Sequence, residues 1–163
     1  MSKVTLKIGG KLDRDTKLRL QQALEAVQVP GGWAYFVSQR IDAAIHDKVP
    51  LEFTGNCEGD KWPEVGGLYA FLMDEAKLQF ALVGEYKATV FGPWVPAVDF
   101  VSEAPPEEWG MLSLRVTETG EPLLDAELVS KILEHAGSPY FHETALLQFF
   151  RKALYIPPLT LVV

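Results

Sequence analysis

The sequence predicts an α+β fold in one compact domain, 1–163, with a mainly antiparallel sheet of about five strands packed with about five helices. Three observations support this prediction. The 163 residues are close to the typical size of one domain, and no linker divides them. A composition of 48% hydrophobic and 23% charged residues is typical of a globular chain. The predicted elements also lack the strict strand–helix alternation of a doubly wound sheet.

The first predicted elements are a strand and a helix. Residues 4–8 alternate apolar with polar side chains, and Gly9-Gly10 indicates a turn after them. Asp13 or Asp15 can cap the helix that follows, which Pro30-Gly31-Gly32 ends. Apolar residues at spacings of three and four predict its buried stripe: Leu18, Leu20, Ala23, Leu24 and Val27.

The next predicted elements are a helix over about 33–47, a strand over 49–53 and a polar loop over 54–60. Asp60 can cap a third helix that continues to about Ala76, with Pro63 in its first turn.

Strands dominate the middle of the chain. Residues 78–83 and 88–91 predict a hairpin that turns at Gly84-Glu85, and further strands are predicted over 98–101 and 112–116. Consecutive prolines predict that 102–110 is a loop.

The chain ends with two predicted helices and an apolar tail. The helices cover about 124–135 and 143–155, and Pro157-Pro158 stops the second one. Residues 159–163 require burial, as an edge strand or under a neighbouring element.

The cellular compartment is predicted from the cysteine content and the hydropathy. Cys57 is the single cysteine, so the chain forms no internal disulfide, as is common in a reducing cytoplasm. The N-terminal residues alternate in polarity, unlike a signal peptide, and no stretch approaches the roughly 20 apolar residues of a membrane-spanning helix. We therefore expect a cytoplasmic protein that does not bind membranes.

The negative charge is concentrated in the middle of the chain. Residues 56–127 carry 4 basic and 14 acidic side chains, a net charge of −10, whereas the whole chain has −7. The flanking segments 1–55 and 128–163 are weakly positive, at +2 and +1. Such a segment repels phosphate backbones and attracts basic proteins, so we expect no direct binding of nucleic acid.

No motif predicts a catalytic residue, a metal or a cofactor. Cys57 lies beside Glu58 and Asp60, whose charges would raise the pKa of its thiol, and His46 is the nearest histidine in sequence. Asn56, Glu58 and Asp60 are spaced like the start of a calcium loop. The required glycine and glutamate are missing from the sixth and twelfth positions of that loop.

A second group of polar residues lies near the C-terminus: His135, Tyr140, His142 and Glu143. Its two histidines are farther apart than the ligand pairs of most zinc sites, so it does not predict a metal site. It could instead line the pocket of a small enzyme or ligand-binding domain.

The loop over 103–110 is the clearest candidate contact site. Trp109 follows Glu107 and Glu108 in a segment that two prolines stiffen, so it would lose little entropy on binding. The alternative is that Trp109 folds back onto the core. The predicted partner-binding residues of the acidic segment are Glu58, Asp60, Glu64, Glu103, Glu107, Glu108 and Trp109.

Three short stretches carry a resemblance: 62–72, 78–80 and 84–86. In these stretches the chain resembles small uncharacterised accessory proteins of bacterial plasmids, integrative elements and phages. The resemblance implies a bacterial origin and an accessory role, and it implies no catalytic residues.

These observations favour a non-enzymatic interaction or regulatory protein that docks on a basic partner through residues 56–127. A sharper version is an inhibitor from a mobile element that occupies the basic groove of a nucleic-acid-binding protein. One alternative is the small enzyme or ligand-binding domain with a pocket near His135 and His142. Another is a structural protein that forms homo-oligomers through the apolar tail.

Overall fold

The sheet and its helices are seen in a computed structural model that describes residues 2–26, 36–57, 68–92, 110–119, 121–123, 126, 151 and 154–162. The strands are β1 (Ser2–Leu12), β2 (Leu51–Cys57), β3 (Gln79–Val83), β4 (Lys87–Gly92), β5 (Gly110–Arg115) and β6 (Leu159–Leu161). The helices are α1 (Arg14–Glu25), α2 (Val37–Asp47) and α3 (Leu68–Ala70), which continues as a π-helix over Phe71–Glu75.

The strand order confirms the predicted fold class. Five strands form an antiparallel sheet in the order β2-β1-β3-β4-β5, and β6 pairs with β1 in parallel. The described residues contain three helices, so the predicted count of about five is not matched. Of the predicted helices over 124–135 and 143–155, the structure describes only residues 126, 151, 154 and 155, and 126, 151 and 154 are helical. The predicted strand over 98–101 and most of the predicted loop over 102–110 lie outside the described residues.

The prediction of a turn at Gly9-Gly10 was wrong, because both glycines lie within β1. The strand passes through both glycines and continues to Leu12, because the C-terminal segment pairs with its last three residues in parallel. A Cβ atom on Gly9 would lie 1.8 Å from the carbonyl oxygen of Pro157, and Gly10 has a φ of +122°. The two glycines therefore admit the C-terminal segment to the sheet instead of ending the strand.

β6 confirms the prediction that the apolar tail includes an edge strand. Gly10 donates its amide to the carbonyl oxygen of Pro158 at 3.2 Å, and Val162 donates to Leu12 at 2.7 Å. The amide of Leu159 donates to Val49, just before β2, at 3.2 Å, and its side chain is fully buried. The tail is thus held to both neighbouring parts of the sheet.

β2 is longer than the predicted strand over 49–53. It pairs with β1 through Cys57, although 54–60 was predicted to be a loop. Thr54 lies opposite Thr5 in the register, and their two hydroxyl groups share a hydrogen bond at 3.0 Å. Alternation between an apolar and a polar face explains how a polar sequence continues the strand.

α1 begins as predicted, at Asp13, whose carboxylate accepts a hydrogen bond from the amide of Thr16 at 2.7 Å. Leu20 and Leu24 are buried, as the predicted stripe requires. The placement of Leu18 in that stripe was wrong, because its side chain is 53% exposed. Residues two positions apart on a helix point to different faces, so Leu18 cannot share the face of Leu20.

α2 ends in a left-handed residue. Lys48 has a φ of +57°, and its amide donates to Ile45 while the amide of Val49 donates to Ala44. These two bonds form a Schellman motif, which satisfies the last carbonyl groups of the helix and turns the chain into β2.

The β3–β4 hairpin is confirmed, and its turn lies one residue later than the predicted Gly84-Glu85. Gly84 donates its amide to Lys87 at 2.8 Å, which leaves Glu85 and Tyr86 as the two residues of the turn. β5 extends the sheet from this hairpin, and Arg115 lies opposite Lys87.

The main core lies between the sheet and the helices. Its largest fully buried side chains include Leu6, Leu20, Ile41, Phe53 and Phe80. The opposite face is buried at Ala81, Ala88 and Val90 of β3 and β4, so both faces are covered there. None of the helices in the described ranges is long and apolar enough to cross a membrane.

Candidate functional site

The predicted contact residues lie outside the part of the chain that the structure describes. This applies to the whole predicted set: Glu58, Asp60, Glu64, Glu103, Glu107, Glu108 and Trp109. It also applies to the alternative pocket residues: His135, Tyr140, His142 and Glu143. The acidic segment itself is described in part, and it is represented there by five acidic residues: Asp74, Glu75, Glu85, Glu118 and Glu121.

Two of these carboxylates lie at the end of the β3–β4 hairpin. Tyr86 donates its hydroxyl hydrogen to Glu118 Oε1 at 2.9 Å, and Glu85 precedes it in the turn. The amide of Val116 donates to the carbonyl oxygen of Tyr86 at 3.0 Å, which fixes the turn against the end of β5. We call Glu85, Tyr86 and Glu118 the hairpin cluster. It combines two carboxylates with an aromatic side chain that is 56% exposed.

The negative charge of the hairpin cluster changes the pKa of Tyr86. The hydrogen bond to Glu118 and the negative charge of Glu118 raise the pKa of the Tyr86 hydroxyl, and the charge of Glu85 adds to the effect. The shift means that the neutral phenol is favoured beside these carboxylates. A cation would be attracted to the same position for the same reason.

Two other carboxylates of the segment are engaged in ion pairs. Glu121 pairs with Arg151 at 3.1 Å, and Glu75 pairs with Arg19 of α1 at 2.6 Å. All four side chains are at least half exposed, so each pair contributes little to stability. These partners reduce the negative field that Glu75 and Glu121 present to another molecule.

Four of the five described carboxylates of the segment form two groups on the fold. Asp74 and Glu75 end the π-helix before β3, whereas the hairpin cluster lies beyond the other end of β3. The five residues of β3 span roughly 15 Å, which separates the groups. The hairpin end also carries Lys87 and Arg115, so its charge is mixed.

Cys57 and His46 are far apart in the fold. His46 lies near the end of α2, before β2 begins, and Cys57 is the last residue of β2. The seven residues of β2 span roughly 20 Å, so the backbone of Cys57 lies at the far end of the strand from the residues that connect it to α2. Within the described ranges, no three histidine, cysteine or acidic side chains are grouped as metal ligands would be.

Sequence reasoning missed Tyr86 as a candidate contact residue. The signal was present in part, because an aromatic residue in a two-residue turn is exposed at the end of a hairpin. Tyr86 and Glu118 are 32 positions apart, and their contact depends on the register in which β5 pairs with β4. The sequence pattern does not predict that register.

Comparison with known proteins adds no relative: no protein-family model, no curated protein and no solved structure matches the chain.

Proposed function

We propose that this is a non-enzymatic interaction protein that docks on a basic partner protein through the acidic segment 56–127. The observation that carries the proposal is the hairpin cluster, where exposed Tyr86 donates a hydrogen bond to the carboxylate of Glu118 and follows Glu85 in the turn. An aromatic ring with adjacent carboxylates fits an arginine or lysine side chain of a partner.

The charge of the segment supports a role in association. Residues 56–127 carry −10, and this field attracts a basic surface over about one Debye length before contact. Charge complementarity of this kind raises the association rate more than it deepens affinity. We infer that the partner presents arginine and lysine side chains, as the groove of a nucleic-acid-binding protein does, and that docking there inhibits it.

Glu58, Asp60, Glu64, Glu103, Glu107, Glu108 and Trp109 extend the proposed contact surface along the segment. The single cysteine supports a cytoplasmic location, where thiols stay reduced. We favour binding of a different protein over formation of a homo-oligomer through the tail, because Leu159 of the tail is already buried in its own chain.

The test is capture of host proteins on the tagged chain, with washes at low and high salt and identification by mass spectrometry. The double variant E85Q/E118Q removes two charges from the hairpin cluster. The matched control E25Q/D47N removes two charges outside residues 56–127. We expect one basic protein that is retained at low salt, released at high salt and depleted by the first variant alone.

Equal capture by both variants would show that the hairpin cluster takes no part in docking. Retention of acidic proteins, or retention that salt does not change, would contradict the proposed charge complementarity.

A further inference from the structure

We draw no further inference here: the strongest candidate, the surface cluster of Glu85, Tyr86 and Glu118 at the end of the β3–β4 hairpin, belongs to the docking surface already proposed, and nothing else in the described part of the chain shows what it would bind.

Discussion

Replacing Gly9 with alanine tests how the C-terminal segment is fitted to the sheet. The added Cβ would lie 1.8 Å from the carbonyl oxygen of Pro157 and 2.8 Å from Cγ2 of Ile156. Real Cβ atoms essentially never approach another atom below 3.0 Å. The nearest atom belongs to the backbone, so no side-chain rotation relieves the clash. The segment must move by about 1 Å or more, or leave the sheet.

The two ways of relieving the clash set the size of the effect. Overpacking that the fold absorbs in place costs about 1–3 kcal/mol. Release of the segment exposes Ile156 and Leu159, which are buried now, at about 1.5–3 kcal/mol each. Release would also break the hydrogen bond from Gly10 to Pro158. The cheaper response determines the outcome, so we expect G9A to lower the free energy of unfolding by about 1–3 kcal/mol.

Urea denaturation followed by circular dichroism measures this change. The control is T5A. Thr5 lies on the same face of β1 as Gly9, and its hydroxyl makes only an exposed hydrogen bond with Thr54. We expect the control to lose about 1 kcal/mol or less. A smaller m value in G9A would indicate that the segment has detached. A loss below about 0.5 kcal/mol in G9A would refute the close approach of the Pro157 carbonyl oxygen to Gly9.

Three further predictions concern single residues. K48G should raise the free energy of unfolding by about 1 kcal/mol in a urea titration, because glycine adopts the positive φ of this position without strain. An unchanged or lower free energy of unfolding would contradict the left-handed conformation at the end of α2. D13A should lower the melting temperature because the Thr16 amide loses its acceptor. The same hydrogen bond lowers the pKa of Asp13, so the stability that this residue contributes is present above its unfolded-state pKa and is lost as the pH falls through its folded-state pKa. D13A should lack this loss of stability in acid. If D13A and the unmodified protein lost stability identically as the pH falls, the result would count against the cap. E118Q should bring the pKa of Tyr86 down toward its ordinary value in an ultraviolet titration, with Y86F identifying the signal; an unshifted titration would exclude the Tyr86–Glu118 contact.

The elements that were predicted correctly have local causes. The cap at Asp13 needs only a carboxylate three residues before an amide, and the β3–β4 hairpin needs two alternating runs around a short turn. The buried positions Leu20 and Leu24 follow from helical spacing alone.

The elements that were predicted wrongly depend on distant contacts. Gly9-Gly10 has the composition of a turn, and its place in a strand depends on the C-terminal segment, almost 150 residues later, which packs against Gly9 and pairs with Gly10. The extension of β2 to Cys57 likewise depends on pairing with the first residues of β1. Long-range pairing can override local propensity in this way.

The candidate site was predictable only as a charge distribution. The net charge of residues 56–127 can be counted in the sequence, but the spatial arrangement of its carboxylates cannot. The structure separates Glu75 from Glu85 along β3 and brings Glu118 to Tyr86 through the register of β4 and β5. The sequence pattern alone does not report such contacts, because they join residues from different elements.

The most direct test of docking through the acidic segment is the association rate constant with the captured partner, measured by stopped-flow at low and high ionic strength. We expect the rate to fall steeply with salt and E85Q/E118Q to slow it at low salt, while E25Q/D47N leaves it close to that of the unmodified protein. An association rate that is independent of salt, or equally slow for both variants, would contradict the claim that this segment guides the protein to a basic partner.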